Sequence, residues 1–299
     1  MKKRLLILGC NTSQLKYTQL INKNEWKIIG VDLNKNAPGK FFCDKFYNVG
    51  YDNLSALIEI GKKEKFRKID YVFTAASQFA QKGAAHFAEN FGIKYPSEKT
   101  IDLCLNKSLY YKYFEKIDIP VPETSYIKNK KQLRTKLADI KSGVFYLKSD
   151  FSKNPYYVYK FNLSNIPWND FFWGKDRYLR ECYILQKEIK GTSLRINIYG
   201  NDFNVFNFLN GKKTSLYHSQ INKFKIIETL KDFMKTLSIH KWLIKFDVIL
   251  YSDGYVVLDV GLDPPSRMIK LAEDNKINFY KCYIDQYLNN KIKYPKLLN

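Results

Sequence analysis

Two aspartates, Asp247 and Asp259, are spaced so that they could bind a metal ion together. They lie in residues 246–263 (FDVILYSDGYVVLDVGLD), where two β-rich runs flank a Ser-Asp-Gly turn signal at 252–254. A three-residue loop, with Gly254 in a left-handed conformation, would place the aspartates opposite each other with β-carbons roughly 5 Å apart. A divalent cation would offset their repulsion, since Mg²⁺ typically takes one or two protein carboxylates together with substrate phosphates. The alternative is an exposed hairpin whose aspartates are solvated.

This register pairs Tyr251 with Tyr255 and sorts the hairpin into two faces. The apolar face then contains Phe246, Val248, Leu250, Val256, Leu258 and Val260. The opposite face contains Asp247, Ile249, Tyr251, Tyr255, Val257 and Asp259. A two-residue Asp-Gly turn would slip the pairing by one residue and put an aspartate into each otherwise apolar face, so the three-residue loop is favoured.

The composition indicates a folded globular protein. The chain has 299 residues, 45% of them hydrophobic and 16% aromatic, which is enough for two or three lobes. Its net charge of +21 is spread along the whole chain, and no recognisable nucleic-acid-binding module is present. The basic excess therefore favours small anionic ligands over a dedicated nucleic-acid surface.

Cysteine usage and hydropathy predict a cytoplasmic protein. The 5 cysteines form no CxxC pair, which argues for a reducing compartment and against a disulfide framework or a zinc site. The apolar run after the first basic residues is too short for the apolar region of a signal peptide. No run approaches the ~20 apolar residues that a membrane span needs, so no membrane association is expected.

The N-terminal part of the chain alternates between β-like and helical patterns. Strands are predicted at 4–9, 26–32 and 69–75, and helices from Ser13, at 53–66 and at 78–91. This alternation predicts a doubly wound, Rossmann-like sheet. The turn after the first strand, residues 9–14 (GCNTSQ), lacks the second and third glycines of the dinucleotide fingerprint. NAD binding is therefore disfavoured, although Asp32 follows the second strand.

The rest of the chain begins with helices and continues with antiparallel β patterns. Two helices are predicted over 97–117, after which the segment IPVP at 119–122 forces an extended chain. The later predicted elements are strands at 143–149 and 156–162 around a polar loop, a strand at 182–191, a hairpin at 193–208 and a helix at 226–237. Lys148 ends the first of these strands and faces the polar loop.

The order of these parts resembles the ATP-grasp superfamily, and within it the branch of carbamoyl-phosphate synthetase and the carboxylate–amine ligases. VDLNKNAPGKFFCDKFYNV (31–49) is similar to the lobe that precedes the ATP-grasp fold in that branch, and NKSLYYKYFEKIDIPVPET (106–124) to the segment that follows it. YLKSD (146–150) resembles the first phosphate-binding strand, ILQKEIKG (184–191) the hinge and FDVILYSDGYVVLDVG (246–261) the metal-ligand hairpin. The resemblance covers nearly the whole chain.

The resemblance implies a mixed α/β fold with three parts. These are a Rossmann-like pre-ATP-grasp domain at 1–95, linker helices with the small ATP-grasp lobe at 96–183, and the large lobe with the metal hairpin at 184–299. The family forms dimers through the first lobe in many cases, so a homodimer is expected by the same analogy.

Carried over residue by residue, the resemblance also implies a site. Lys107 and Lys148 would bind the ATP phosphates, and Asp247 and Asp259 would hold Mg²⁺, or Mn²⁺ in its place. The adenine and ribose would be contacted by Gln186, Lys187, Glu188, Ile189 and Ile249. The residues expected to act in catalysis are Arg195, Lys148 and Arg267.

The implied reaction joins a carboxylate to an amine or similar nucleophile. The carboxylate attacks the γ-phosphoryl group of ATP, and cations neutralise the charge that develops on the phosphoryl oxygens. The resulting acyl phosphate is then attacked by the nucleophile, which gives the product, ADP and phosphate. The substrates expected are ATP, a small carboxylate of anionic character and an amine.

Departures from the family pattern leave an alternative open. The family hairpin usually ends in Glu-x-Asn, whereas this chain has Asp259-Val260-Gly261 and so lacks the amide ligand. The loop 149–155 contains no glycine, and Asp263 stands where many relatives have a substrate-binding arginine. These changes favour a second hypothesis, a nucleotide-binding pseudoenzyme. A basic nucleic-acid-associated protein is a third hypothesis and predicts salt-dependent binding to DNA or RNA.

Overall fold

The computed structural model describes residues 2–150, 158–168, 183–199, 202–207, 217–239, 242–264, 266–274 and 276–289. The described strands form three four-stranded sheets, one parallel and two antiparallel. The mixed α/β fold class expected from the sequence is thereby confirmed. No helix within the described residues is long and apolar enough to cross a bilayer.

The parallel sheet forms the first lobe and has the strand order β3-β2-β1-β4. Its strands are β1 (Lys3–Leu8), β2 (Trp26–Val31), β3 (Lys45–Tyr47) and β4 (Tyr71–Phe73). The helical segments between and after them are α1 (Thr12–Thr18), a 3₁₀ helix (Pro38–Phe42), α2 (Leu54–Lys63) and α3 (Gln78–Phe91). One face of the sheet packs on α2 and α3 through a core that includes Leu6, Ile29, Leu57 and Phe87.

The opposite face of the parallel sheet is covered by α1 and by two helices from the other end of the chain. These are α9 (Ser266–Asp274) and α10 (Phe279–Asn289), neither of which the sequence patterns had indicated. Tyr17 of α1 lies edge-on to Tyr280 of α10, with ring centroids 4.8 Å apart. Tyr287 donates its hydroxyl proton to the carbonyl of Val72 over 2.7 Å. The first lobe is therefore completed by C-terminal residues, which share one core with it.

Helices α4 (Glu98–Leu105) and α5 (Lys107–Lys116) follow the first lobe and lead into the second sheet, of order β5-β8-β6-β7. Its strands are β5 (Thr124–Ile127), β6 (Val144–Ser149), β7 (Val158–Asn162) and β8 (Tyr183–Lys187). Helix α6 (Lys130–Ala138) covers its outer face, where Leu133, Leu137 and Leu147 are buried. Because β8 pairs with β5 and β6, this sheet continues beyond the small-lobe limit predicted at residue 183.

The third sheet has the order β10-β9-β11-β12. Its strands are β9 (Thr192–Tyr199), β10 (Asp202–Asn207), β11 (Ile244–Tyr251) and β12 (Gly254–Gly261). Helices α7 (His218–Lys223) and α8 (Ile226–Thr236) lie between β10 and β11, and α8 packs on the same core as α4 and α5. One face of the sheet is buried in this core, and Arg195, Asp247 and Asp259 lie on the other face.

The predicted turn of the aspartate hairpin is wrong, whereas its aspartate pair is confirmed. Tyr251 pairs with Gly254, so the turn has two residues rather than three, and Gly254 is not in the left-handed region. A β-bulge at Leu258 then shifts the register by one residue, so that Asp247 still lies directly opposite Asp259.

The two-residue turn inverts the predicted face assignment between the turn and the bulge. Tyr255 and Val257 point into the core instead of sharing the aspartate face, and Val256 pairs with Ile249 on that face. Val257 donates its amide proton to the carbonyl of Pro120 over 2.8 Å. The physical reason for the error is thus a long-range contact that favours the bulge, which the hairpin sequence alone does not reveal.

Candidate functional site

The crevice at the carboxyl edge of the parallel sheet is filled by a glutamine side chain. Strand order reverses between β1 and β4, which is where nucleotides bind in open sheets of this kind. Gln14, which is fully buried, donates from Nε2 to the carbonyl of Leu8 at 2.7 Å and accepts the amide proton of Ala75 at 2.6 Å. The geometry therefore agrees with the missing glycines in disfavouring a dinucleotide here.

The charged residues that could bind a ligand or take part in catalysis lie instead between the two antiparallel sheets. On the third sheet, Arg195, Asp247 and Asp259 lie opposite one another on β9, β11 and β12. Arg195 donates from Nε and Nη2 to the two carboxylate oxygens of Asp247, each over 2.7 Å. Their side chains are 18% and 17% exposed, so this bidentate pair is largely shielded from solvent.

The carboxyl group of Asp247 is held in a low-dielectric environment. Burial raises its pKa above the ordinary value, and the hydrogen bonds and charge of Arg195 partly offset this rise. The nearby carboxylate of Asp259 raises the pKa further. The two aspartates thus interact electrostatically, as their predicted placement requires.

Two tyrosines of α5 fix the geometry around Asp259. The hydroxyl of Tyr111 donates to the carbonyl of the bulged Leu258 over 2.8 Å. The hydroxyl of Tyr110 lies 3.0 Å from the same carbonyl and 3.1 Å from Asp259 Oδ1. Both rings are fully buried, and burial raises the pKa of both hydroxyl groups, so they remain proton donors. Sequence reasoning missed both tyrosines, because their partners on β12 are distant from them in sequence.

Lys107 and Lys148 approach the aspartates from the side of the second sheet. Lys107 is the first residue of α5 and is only 6% exposed. Burial, together with the neighbouring positive charge of Lys107, lowers the pKa of Lys148 from 10.5 to about 8, although Asp259 and Asp247 act in the opposite direction. Lys148 is therefore close enough to Lys107 and to both aspartates to interact with them electrostatically, and it links the four predicted residues into one site.

Asp150 ties together the two elements that carry the lysines. This residue directly follows β6, and its carboxylate accepts the backbone N–H of Ser108 at 2.7 Å and the hydroxyl proton of Ser108 at 2.6 Å. Its carbonyl accepts the N–H of Lys107 at 3.1 Å. An acidic side chain at a helix N-terminus is favourable in itself. These hydrogen bonds of Asp150 were not predicted, since they join residues that are distant in sequence.

The predicted adenine-binding segment lies at the end of β8. Gln186 is buried and bridges Lys148 Nζ, at 2.9 Å, to Thr124 Oγ1, at 2.8 Å. Strand β5 begins at Thr124, opposite Gln186, so the backbone from Lys187 to Ile189 runs beyond the last pairing on that side. This leaves a strand edge that a base could pair with.

Glu188 lies within this segment, and Ile249 lies on β11 next to Gly191. The Glu188 carboxylate accepts from Lys160 Nζ at 2.7 Å and from the Tyr146 hydroxyl at 3.3 Å, and its amide donates to the carbonyl of Val144. Ile249 lies on the aspartate face of β11, and its methyl group approaches Gly191 so closely that a β-carbon there would be 2.6 Å away. Arg267 belongs to α9, but its side chain lies outside what the structure describes.

A divalent cation fits the aspartate pair in part. The two opposed carboxylates offer oxygen ligands, and the oxygens that accept from Arg195 retain further acceptor capacity. Within the described residues, however, no group of three His, Cys, Asp or Glu side chains is placed to hold a metal alone. Any cation at Asp247 and Asp259 would have to complete its shell with ligand oxygens and water.

An antiparallel sheet that carries a buried lysine, followed by a second antiparallel sheet that carries an acidic hairpin, is the arrangement of the ATP-grasp fold. The chain has this fold, preceded by the parallel-sheet lobe.

The particular structures that it resembles are enzymes. Phosphoribosylglycinamide synthetase from Anaerococcus prevotii is 17% identical, with a TM-score of 0.66 over 97% of this chain and 76% of that one. L-amino acid ligase from Bacillus licheniformis is 15% identical, with a TM-score of 0.68 over 96% and 74%. The biotin carboxylase domain of Hydrogenobacter thermophilus 2-oxoglutarate carboxylase, a dimer in complex with MgADP, ADP and bicarbonate, is 12% identical, with a TM-score of 0.73 over 99% and 71%. Neither a protein-family model nor a curated protein sequence matches the chain.

Proposed function

We propose that the protein binds ATP between its two antiparallel lobes and uses it to join a carboxylate to an amine or similar nucleophile through an acyl phosphate. The observation that supports this proposal most strongly is the convergence of Lys107 and Lys148 from one lobe on Arg195, Asp247 and Asp259 of the other. Cations from both lobes then surround one acidic pair, which is the charge arrangement that phosphoryl transfer requires.

Each residue has a distinct task in this proposal. Lys107 and Lys148 bind the phosphates, and Gln186 orients Lys148 through its 2.9 Å hydrogen bond. Arg195 is held by Asp247 and steadies the phosphoryl group during transfer. Asp259 and Asp247 hold Mg²⁺, or Mn²⁺, which when bound would neutralise charge on the phosphates.

The base-binding part rests on the second sheet. The open backbone edge from Lys187 to Ile189 supplies donors and acceptors for the adenine, and Ile249 supplies an apolar surface beneath it. Glu188 accepts hydrogen bonds from the ribose hydroxyl groups, and to do so it must give up its hydrogen bond with Lys160. Structures similar in fold contain ADP or MgADP by their descriptions, which agrees with this assignment.

The substrates other than ATP are proposed from charge. The excess of lysine and arginine favours an anionic carboxylate. Arg267 is proposed to contact this substrate, since it lies in the first turn of α9, just after the hairpin. A cytoplasmic homodimer remains part of the proposal by analogy with the family alone.

A nucleotide-binding pseudoenzyme is the second candidate. The observation that favours it is Gly261, which provides no side-chain oxygen next to the aspartate pair. Such a protein would bind adenine nucleotides but release no ADP when carboxylates and amines are supplied.

The test is calorimetric titration with ATP and a non-hydrolysable analogue, with and without Mg²⁺. We expect Mg²⁺-dependent binding that is lost in an Asp247→Asn, Asp259→Asn variant and kept in the control Asp232→Asn, which alters an exposed aspartate of α8. A screen of carboxylates and amines for ADP release then separates the ligase from the pseudoenzyme. Absence of nucleotide binding in the wild-type protein would refute both candidates.

A further inference from the structure

Two cysteines of the first lobe, Cys10 and Cys43, have their sulfur atoms in the same small space. A β-carbon built on Gly30 of β2 would lie 2.8 Å from Cys10 Sγ and closer still to Cys43 Sγ. The two sulfurs therefore fill the place that a side chain at residue 30 would need, and glycine leaves that place to them. Both cysteines are free thiols.

Backbone hydrogen bonds hold the two cysteines in this arrangement. Cys10 lies two residues after β1, and its carbonyl accepts the N–H of Gly39, in the 3₁₀ helix, over 2.8 Å. The N–H of Cys10 donates to Asp32 Oδ2 over 2.7 Å. Cys43 directly follows the 3₁₀ helix, and its thiol donates to the carbonyl of Gly39 over 3.4 Å. The 3₁₀ helix thus packs on Cys10 and brings Cys43 against it.

The two thiols differ in exposure and in acidity. Cys10 is fully buried, whereas Cys43 is partly exposed. The hydrogen bond between the two thiols lowers the pKa of Cys43, and Lys23 lowers it further, although burial and Asp44 act in the opposite direction. The same hydrogen bond, together with burial, raises the pKa of Cys10. Cys43 is therefore the more reactive sulfur, and Cys10 keeps its proton.

We propose that Cys10 and Cys43 are a redox-active pair, in which Cys43 reacts with a hydroperoxide and Cys10 then closes a reversible disulfide bond. The inference concerns the first lobe and is independent of the proposed nucleotide-binding function. In a reducing compartment such a bond is transient and forms on exposure to the oxidant. Because the sulfurs already share a hydrogen bond, closure needs only a small approach of the 3₁₀ helix to Cys10.

The chemistry has two steps. The Cys43 sulfur attacks the terminal oxygen of the hydroperoxide, the O–O bond breaks, and the leaving oxygen takes the Cys43 proton, which gives an alcohol, or water from hydrogen peroxide. Cys43 is then a sulfenic acid. The Cys10 sulfur attacks the Cys43 sulfur, the S–O bond breaks, and the hydroxyl group leaves as water with the Cys10 proton. The sulfurs have lost two electrons to the peroxide, and a thiol reductant restores them by disulfide exchange.

Peptide mapping tests this proposal directly. The folded protein is treated with hydrogen peroxide, the remaining thiols are blocked with iodoacetamide, and the protein is digested with trypsin without reduction. We expect mass spectrometry to find peptides 5–16 and 41–45 joined by a disulfide, and thiol titration to show the loss of two of the 5 thiols. Dithiothreitol should restore both thiols.

Two variants separate the roles of the cysteines. In Cys10→Ala, Cys43 should stop at the sulfenic acid, which dimedone traps, whereas in Cys43→Ser the Cys10 thiol should stay unmodified. The control Cys282→Ser alters a partly exposed cysteine of α10 and should form the linked peptides as the wild-type protein does.

The wild-type protein alone decides whether the pair exists. Absence of the linked peptides after oxidation, or a disulfide between other cysteines in their place, would overturn the inference and leave the proposed function intact. Oxidation of Cys10 in Cys43→Ser as fast as in the wild-type protein would overturn the assignment of Cys43 as the sulfur that reacts first.

Discussion

Replacing Lys148 by methionine should stabilise the folded protein while weakening its binding of ATP. Burial and the nearby Lys107 lower the pKa of Lys148 from 10.5 to about 8, which means that the folded state disfavours the charged lysine. This lowering corresponds to about 3 kcal/mol at pH 7. Loss of the hydrogen bond to Gln186 costs about 1 kcal/mol. The Lys148→Met variant should therefore gain about 2 kcal/mol in free energy of unfolding.

The sign of the pH dependence is fixed by the same values. Between about pH 8 and pH 10.5 the unfolded chain keeps the Lys148 proton, whereas the folded protein has lost it. The wild-type protein therefore gains stability relative to the variant as the pH rises through this window. The advantage of methionine should be largest at pH 7 and should shrink towards pH 10.

Urea denaturation of both proteins at pH 7, 8.5 and 10 measures this difference, with Lys116→Met as a control for an exposed lysine on α5. Calorimetry at pH 7 should show ATP binding at least tenfold weaker in the variant, since a phosphate-binding charge is lost. A variant that is less stable than the wild-type protein at pH 7, or a difference that does not change with pH, would refute the reasoning.

Three further predictions concern stability. Arg195→Met should lower the free energy of unfolding by about 3 kcal/mol, because Asp247 keeps a partly buried, unpaired charge; an unchanged urea midpoint would contradict this. Tyr111→Phe should cost about 1 kcal/mol through loss of the bond to the Leu258 carbonyl, and a double-mutant cycle with the neighbouring tyrosine should show coupling. Burial alone would raise the pKa of Glu64, but hydrogen bonds from two lysines and a tyrosine lower it to about 2. Glu64→Gln should therefore destabilise the protein above pH 4.5, and acid titrations should show that this effect disappears as the pH falls towards 2.

Local signals predicted the elements that local contacts determine. Helix α3 was predicted over 78–91 and is observed over Gln78–Phe91, because the cap at Ser77 and the left-handed Gly92 lie next to it in sequence. The aspartate pair was also predicted correctly, although the chain reaches it through a two-residue turn and a bulge instead of the predicted three-residue loop.

The remaining features depend on contacts between distant residues. The bulge at Leu258 is accompanied by contacts with Pro120 and with two tyrosines of α5, all of which are distant from it in sequence. Strand β5 has only four residues and carries too short a pattern to be recognised. The roles of the adenine-binding segment and of Arg267 stay predictions.

The packing of α9 and α10 on the parallel sheet has a consequence for biosynthesis. The first lobe leaves the ribosome before the rest of the chain, but α1 covers the face with Leu5, Trp26 and Phe73 only in part until α9 and α10 have been made. Until then one face of the sheet exposes apolar surface, which promotes aggregation of a nascent chain. The first lobe should therefore complete its folding only after α9 and α10 have been made, and a fragment that ends after β12 should be recovered mainly as insoluble material.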